Sequence, residues 1–449
     1  MSKPILIKEG LGYVVTWNDD ERYKDVTMKF HHFLDDRGDP RPEVKIEVLG
    51  RPGTEFDSRI NLNSPTSRKS AVNRCADSGI DLPWGTIIDD ACSAVRDARR
   101  EGEPAQDLSK MELSEASKFA VEPFLLQNQA NLFYGNGGLG KSWVSLYFSL
   151  LMASGSTHQG FSPEPGRVLY LDYESDVQDM NGRFKALCKG LNIPEPRFDY
   201  RRMTQSIPGD SERLLELVDQ SDIKLVIVDS AAPGAGGKPE EASTAIAFFE
   251  ALRAMRVTTL TIGHVSKNVA DDQATSTPFG SIFWRNEPRN IWEIQQGETY
   301  TKEIKEFGLY QTKYNSGAGA DPIGLRFIFD DPNFARNVRV ERIEIADNAQ
   351  LAGRIKWFKK IEFVILKKRR ENSVRPFKGV SIADIANQYG IQQGETSTIS
   401  KHLSLGKTAD PSFFTQVSHG NHDLTSEIVK DEALAKMEEE MGYRKPYKD

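Results

Sequence analysis

The sequence predicts an α/β fold: a parallel twisted sheet with helices on both faces, and a smaller unit at each end of the chain. Short apolar runs alternate with helical stretches between about residues 118 and 345, which favours parallel strands that are buried on both sides. Residues 1–105 instead show a period of two, as in a small α+β unit, and residues 351–449 open basic and then become helical. The runs that predict sheet strands are Asn131–Tyr134, Arg167–Asp172, Lys224–Asp229 and Val257–Gly263.

Composition limits the possible classes of function. At roughly 150 residues per domain, 449 residues suggest about three units. The 58 basic and 65 acidic residues leave a net charge of −7, which excludes a polybasic nucleic-acid coat and confines any nucleic-acid surface to a local patch. No apolar run approaches the roughly 20 residues that cross a bilayer, and the first residues lack a signal-peptide core. Three cysteines far apart suit free thiols, so we expect a cytoplasmic protein without membrane partners.

The N-terminal unit, residues 1–105, shows structure but no chemical motif. Alternation in Val26–Phe30 and Val44–Val48 predicts two half-buried strands. Helical stretches follow near residues 66–77 and 85–100, the second with an apolar face. The role of this unit stays open from sequence.

A phosphate-binding motif of the form G-x-x-x-x-G-K-[ST] begins at Gly135. An apolar strand precedes it and a helix-compatible run follows, so backbone amides and the positive end of the helix dipole converge on the same oxygens. Lys141 is expected to reach the β- and γ-phosphates, and the Ser142 hydroxyl to ligate Mg²⁺. The predicted nucleotide-contacting residues are Gly135, Asn136, Gly137, Gly138, Leu139, Gly140, Lys141, Ser142 and Trp143.

Two further strands end in carboxylates that complete such a site. The apolar run Lys224–Asp229 ends in Asp229, the expected second residue, after Ser142, for holding Mg²⁺. Ser230 follows it, so a second acid that could act as base is missing there. The run Arg167–Asp172 leads to Glu174. If this strand neighbours the strand before the phosphate-binding motif (the P-loop strand), Glu174 faces the γ-phosphate and can polarise the attacking water. Asp172 is the alternative base, and Glu174 as a surface acid at the next helix is the structural alternative.

A third strand, Thr258–Gly263, is followed by His264. A polar end on an apolar strand suggests a γ-phosphate sensor, and a purely structural histidine is the alternative. The polar stretch Asn268–Thr277 has no periodicity and predicts a functional loop.

These segments together resemble a known family. The stretches FLLQNQANLFYGNGGLGKS, VLYLDYES, LVIVDS, GHVSK and PFGSIFWRNEPR are similar to the RepA-like branch of the RecA-fold P-loop ATPases, which are relatives of hexameric replicative helicases. The resemblance covers about residues 118–345. It implies a RecA-like sheet, ATP and Mg²⁺ as ligands, assembly into a homo-oligomer (a hexamer) and action on single-stranded DNA.

The resemblance also implies roles for individual residues. Glu174 is the catalytic base, and His264 couples the nucleotide state to the DNA loops. The loop that begins near Lys267 grips single-stranded DNA in a central channel. A basic residue from a neighbouring subunit completes each ATP site, for which Arg289 and Lys313 occupy plausible positions. Asn315 stands where the replicative Lys-x-Arg pattern has arginine, which leaves the identity of this trans-acting finger open.

The C-terminal segment suggests a winged helix-turn-helix unit. Ten basic residues and two acids lie between Arg354 and Lys378. Ser381-Ile-Ala-Asp384 resembles a capping box, and Gly390 offers a turn before a second helix at about Glu395–Leu403. Residues 413–425 suit a hairpin wing. The second helix is expected to expose short polar groups to duplex DNA, or else to a protein partner, namely Thr396, Ser397, Ser400, Lys401 and His402.

The leading hypothesis from sequence is an oligomeric, Mg-ATP-driven motor on single-stranded DNA. A replication initiator or regulator, in which ATP sets assembly without unwinding, is the second. A strand-exchange recombinase of the same ATPase class is the third, and a small-molecule kinase is disfavoured because the sequence shows no second substrate pocket.

Overall fold

The computed structural model of the protein describes residues 3–9, 12–17, 23–36, 39–101, 105–111, 119–265, 277–331, 335–353, 355–372, 377–392, 396–408 and 412–425. Among these residues, no helix combines the length and the apolar character that spanning a bilayer requires.

The described residues of the N-terminal unit form a five-stranded antiparallel sheet with two helices. The strands pair in chain order, so each neighbour along the chain is also a neighbour in the sheet. The second helix buries one face, including Ile88, Ala91 and Val95, against the sheet core of Trp17 and Phe30. The elements are β1 (Ile5–Glu9), β2 (Gly12–Thr16), β3 (Val26–Asp36), β4 (Asp39–Val48), β5 (Phe56–Arg59), α1 (Pro65–Ala76) and α2 (Trp84–Glu101).

The central unit holds twelve strands and seven helices among its described residues. In chain order they are β6 (Phe119–Glu122), β7 (Leu125–Leu126), β8 (Ala130–Gly135), α3 (Lys141–Ser154), β9 (Ser162–Pro163), β10 (Arg167–Asp172), α4 (Val177–Leu191), β11 (Phe198–Arg202), α5 (Ser211–Gln220), β12 (Ile223–Asp229), α6 (Ala231–Ala235), α7 (Ala242–Ala254), β13 (Thr258–His264), α8 (Phe283–Asn286), β14 (Asn290–Tyr300), β15 (Ile304–Tyr314), β16 (Ile323–Phe329), β17 (Val338–Ile343) and α9 (Ala349–Ala352).

Nine of these strands form one sheet in the order β11-β10-β12-β13-β8-β14-β15-β16-β17. The strands from β11 to β14 are parallel, whereas β15, β16 and β17 run antiparallel. The sheet is therefore mixed, and the purely parallel sheet expected from sequence was wrong for this edge. Only residues 301–303 connect β14 to β15. So short a link permits a hairpin, while a parallel crossover needs a dozen or more residues.

Helices cover both faces of the parallel part of the sheet, because side chains alternate along each strand. On β10, Val168 and Tyr170 pack in the core with α3 and α4. Leu169 and Leu171 point the other way, into the core with α5, α6 and α7. Buried side chains of the antiparallel strands β15, β16 and β17 belong to the same core as α3 and α4. The parallel strands are thus packed against helices on both faces.

Among its described residues, the C-terminal unit has three helices and a three-stranded sheet in the order β18-β20-β19. Its core joins Ile361 and Ile365 of the first helix to Ile385, Ile399 and Leu403 of the other two. A hairpin turns at Gly420, whose φ of 74° lies in the left-handed region. The elements are α10 (Trp357–Glu371), β18 (Val380–Ser381), α11 (Ile382–Gln388), α12 (Ser397–Thr408), β19 (Phe414–Ser418) and β20 (Asn421–Leu424).

Candidate nucleotide-binding site

A glycine-rich loop joins β8 to α3 at the carboxyl edge of the sheet. Gly138 and Gly140 take φ values of 75° and 79°, which L-amino acids with side chains rarely adopt. Gly140 precedes the first turn of α3 and offers no side-chain cap to it. The first N–H groups of a helix lack partners within the helix, so a loop of this shape presents donors and a positive dipole end to an anion.

Lys141 is buried at the base of this loop, with 5% of its surface exposed. Its Nζ donates to the carbonyl oxygens of Gly135 at 3.0 Å and Asn136 at 2.8 Å. Burial lowers the pKa of Lys141, while the carboxylates of Asp229 and Glu174 act in the opposite direction. The ammonium is thus held beside the loop by two neutral carbonyl acceptors, which a phosphate oxygen can replace.

Asp229 ends β12 beside the start of α3. Its Oδ2 accepts hydrogen bonds from the Ser142 hydroxyl at 2.6 Å and from the Tyr170 hydroxyl at 2.7 Å. Burial raises the pKa of Asp229, although these two hydroxyl donors favour its ionised form. A hydroxyl and a carboxylate in contact are the oxygen ligands that Mg²⁺ prefers. The donor set therefore fits Mg²⁺, which Ser142 and Asp229 would hold directly or through water.

Glu174 follows β10 in a turn that Asp172 organises. One carboxylate oxygen of Asp172 accepts the backbone N–H groups of Glu174 at 2.8 Å and Ser175 at 2.9 Å. Because Asp172 is 1% exposed and committed to these amides, it serves as a positioning group for the turn. This geometry favours Glu174 over Asp172 as the group available to a substrate.

The Glu174 carboxylate points toward β12 and β13. Its Oε1 accepts the Ser230 hydroxyl at 2.5 Å and lies 3.7 Å from His264 Nε2. The neighbouring His264 imidazole and then the Ser230 hydroxyl hold the pKa of Glu174 down to about 2, against the raising effect of partial burial. Glu174 is therefore ionised at neutral pH.

The strand order explains why these side chains meet. Asp172, Asp229 and Ile262 are in register on β10, β12 and β13, and His264 is paired with Gly135 of β8. The condition that the Glu174 strand neighbours the P-loop strand is not met, since β12 and β13 lie between β10 and β8. Glu174 still reaches the site, because the carboxyl ends of parallel strands share one edge of the sheet.

The polar groups face a cavity of about 260 Å³. It adds two basic residues that sequence reasoning missed, Arg183 of α4 and Lys305 of β15. Neither belongs to a recognisable motif, and Lys305 comes from the antiparallel edge that the sequence pattern did not reveal. The residues around the cavity are Gly138, Gly140, Lys141, Ser142, Trp143, Glu174, Ser175, Arg183, Asp229, Ile262, His264 and Lys305.

The remaining residues of the predicted phosphate loop do not line this cavity. Leu139 packs against the α3 side of the core. A Cβ on Gly135 would lie 2.4 Å from a side-chain atom of Ile294, so the close approach of β14 requires glycine there. Asn136 contributes its carbonyl oxygen to Lys141, and Gly137 lies in open space.

The candidate trans-acting residues lie apart from this cavity. Arg289 is exposed just before β14. Lys313 donates to the carbonyl oxygens of Arg285 at 2.9 Å, Asn286 at 2.7 Å and Pro288 at 2.7 Å. Burial, followed by the charge of Arg289, lowers the pKa of Lys313. Lys267, the predicted DNA-contacting residue of the loop, lies outside the described residues.

The predicted recognition surface on α12 is partly as expected. Ser400 and Lys401 are exposed, and Thr396 is half-buried just before the helix. His402 is also half-buried, and its ring lies 5.5 Å from that of Phe358. The expectation that His402 is exposed was therefore wrong, because it shares the buried face with Ile399 three residues earlier.

Comparisons with known proteins give one family match and one weak structural match. Residues 99–270 match a family model described as an AAA domain. No curated protein matches the chain. Among solved structures, a KaiC-like protein from the hyperthermophilic archaeon Pyrococcus horikoshii is 13% identical over 49% of this chain and 93% of its own, with a TM-score of 0.33. This structural match is too weak to support any assignment.

The glycine-rich loop, the paired Ser142 and Asp229, and the family match together support a P-loop ATPase family for the central unit. Proteins of this class bind a nucleotide, typically with Mg²⁺.

Proposed function

We propose that the chain is an ATP-hydrolysing, ring-forming motor on single-stranded DNA, of the RepA-like helicase type. The observation that carries the hydrolytic part of the proposal is the position of Glu174, an ionised carboxylate in the same cavity as Lys141, Ser142 and Asp229. The ring and the single-stranded DNA follow from the resemblance of the sequence to RepA-like ATPases. A passive nucleotide-binding scaffold needs the last three residues but has no use for an aligned carboxylate opposite them.

In the proposed reaction, a water oxygen bonds to the γ-phosphorus as the bond from that phosphorus to the β–γ bridging oxygen breaks. ADP leaves with the electron pair, and the water proton passes to Glu174 or to solvent. A carboxylate with a pKa of about 2 is a weak base, so Glu174 acts mainly by orienting and polarising the water. This suits phosphoryl transfer through a loose transition state, in which positioning dominates.

The remaining site residues bind and neutralise the triphosphate. Lys141 exchanges its carbonyl partners for phosphate oxygens, and the N–H groups at the start of α3 bind the same group. Ser142 and Asp229 would hold Mg²⁺, which would supply positive charge to offset that of the phosphate oxygens. His264, 3.7 Å from Glu174, is placed to sense whether the carboxylate is engaged.

A basic residue from an adjacent copy of the chain would complete the site. Arg289 is the better of the two candidates, because its side chain is exposed. The three carbonyl partners of Lys313 instead make it a cap for the end of α8. Arg289 would complete the ATP site of an adjacent copy when the copies assemble into a ring.

The experiment measures ATP hydrolysis by the full chain with and without single-stranded DNA. We expect DNA to raise the rate severalfold, and Lys141→Ala to abolish hydrolysis with and without DNA. Lys238→Ala, which changes an exposed lysine that does not line the cavity, is the matched control and should hydrolyse ATP normally. Equal rates with and without DNA, at any chain concentration, would overturn the motor proposal.

One observation favours a second candidate, an ATP-switched initiator that binds duplex DNA through the C-terminal unit. Ser400 and Lys401 of α12 are exposed beside a hairpin, the arrangement that winged-helix modules use to contact DNA. Footprinting on duplex DNA tests it: a protected site lost in Lys401→Ala supports this candidate, and uniform weak protection removes it.

A further inference from the structure

We propose that Lys305 binds the phosphates of the nucleotide from within the same chain, so that the antiparallel edge of the sheet forms one wall of the site. The inference rests on nucleotide binding by the proposed function, but not on DNA binding, ring assembly or movement.

Lys305 enters the cavity from a hairpin that the phosphate motif does not include. It is the second residue of β15, lies directly across the hairpin from Tyr300 of β14, and lines the cavity together with Lys141 and Ser142. The parallel strands supply the motif residues from one side of the P-loop strand, and this hairpin approaches from the other.

The hairpin is fixed to the phosphate loop at two points. The Tyr300 hydroxyl donates to the Gly138 carbonyl oxygen at 2.9 Å. Buried Phe307 lies against the next glycine, so that a Cβ on Gly140 would approach its ring to 3.0 Å. Because both contacts flank Lys305 on the hairpin, its position relative to the loop is set before any ligand arrives.

Aromatic rings hold the ammonium of Lys305. Its Nζ lies 5.3 Å from the centre of the Tyr300 ring and 5.6 Å from that of Phe329. Such cation–π contacts stabilise the charge weakly and leave the hydrogen-bond donors of the ammonium available. Within the described part of the chain, no carboxylate pairs with Lys305, whereas Arg183 is paired with Asp179 at 2.5 Å.

Lys305 adds positive charge to the lining of the cavity. Because Arg183 is paired with Asp179, the unpaired basic side chains beside the carboxylates of Glu174 and Asp229, among the described residues, are Lys141 and Lys305. A lysine suits this role because its ammonium is a compact point charge that adapts to phosphate oxygens. Lys305 thus gives each protomer a second phosphate-binding cation of its own, which matters in a chain that carries Asn315 where a trans-acting arginine is expected.

The test is equilibrium binding of ATP, ADP and adenosine to the full chain by calorimetry, without DNA. Lys305→Met keeps the aliphatic length and removes the charge. We expect it to weaken ADP and ATP about tenfold, the usual scale of one charge-assisted hydrogen bond, and to leave adenosine unchanged. Lys305→Arg should recover most of the affinity.

The matched control is Lys302→Met, an exposed lysine in the turn of the same hairpin, which should bind all three ligands as the parent chain does. A melting temperature close to that of the parent chain confirms that Lys305→Met is folded, and the recovery by Lys305→Arg reports on charge independently of folding. Unchanged ADP affinity in Lys305→Met, or an equal loss for adenosine and ADP, overturns the proposal. Since no DNA is present, failure of the motor proposal leaves this result interpretable.

Discussion

The two sides of the P-loop strand β8 contribute to the site in different ways. On the parallel side, β10, β12 and β13 each end at the cavity, and Glu174, Asp229 and His264 come from those ends. On the other side, the β14–β15 hairpin runs past the loop and contacts it through Tyr300 and Phe307, and Lys305 between them lines the cavity. One side therefore supplies groups for chemistry, and the other supports the loop and shapes its wall.

The largest effect that separates the two sides is expected for Glu174→Gln on the parallel side. The amide keeps the shape of the side chain but loses the negative charge that orients and polarises the attacking water, so hydrolysis should fall by about 10²- to 10⁴-fold. Nucleotide affinity, which depends on the loop and the hairpin, should stay within a few-fold of the parent value. Single-turnover hydrolysis and calorimetric binding on the same preparation measure the two quantities, and near-normal hydrolysis would remove Glu174 from the mechanism.

The next effect tests how closely the hairpin fits the loop. Gly140→Ala places a Cβ on a residue with φ of 79° and 3.0 Å from Phe307. We expect unfolding free energy to fall by about 1–3 kcal/mol and ADP affinity to drop with it. Gly138→Ala in the same loop is the control, because its φ of 75° carries the same backbone strain while nothing lies within 4 Å of its added Cβ. Denaturant melts of the two variants give the comparison, and equal stability would mean that the hairpin does not constrain the loop.

The smallest effect concerns the hydroxyl that holds Glu174. The depressed pKa of Glu174, about 2 against an ordinary 4.5, contributes stability that is fully present above pH 4.5 and is lost as the pH falls toward 2. Ser230→Ala removes one cause of that depression. The pKa should therefore rise toward 4.5, and the variant should be less stable at neutral pH by on the order of 0.5 kcal/mol.

Denaturant melts of Ser230→Ala at pH 7, 4 and 3 check the sign of this effect: the difference from the parent chain should shrink as the pH falls. Ser175→Ala, beside Glu174, is the control, since the contacts of Glu174 with Ser230 and His264 do not involve its side chain. A difference that grows in acid would contradict the assigned cause.

The same contrast explains what could be predicted from sequence. Strands buried on both faces are nearly continuous apolar runs, so β10 and β12 were found within a residue of their observed bounds. Polar residues at their ends marked Asp229 and Glu174 as candidates. The long hairpin β14–β15 alternates irregularly and includes the buried polar residues Glu293 and Glu306, so its pattern does not indicate a strand pair.

Contacts between distant segments could not be predicted. Lys305 is an ordinary lysine in a polar stretch, and only the pairing of β14 with β8 brings its hairpin to the loop. His402 was misjudged for a related reason, since a polar residue on a helix is assumed exposed until the ring stack beneath it is known. Lys313 likewise looked available until its three carbonyl partners were visible.

The support that the hairpin gives to the loop bears on where the catalytic unit ends. A fragment cut at residue 270, the limit of the family match, would keep the glycine-rich loop, Glu174, Asp229 and His264, yet lose Trp292, Phe307 and Phe327, which are almost fully buried in the same core as α3. In that fragment, one side of α3 would be exposed to water. The smallest autonomous piece therefore has to extend through β17, which ends at Ile343.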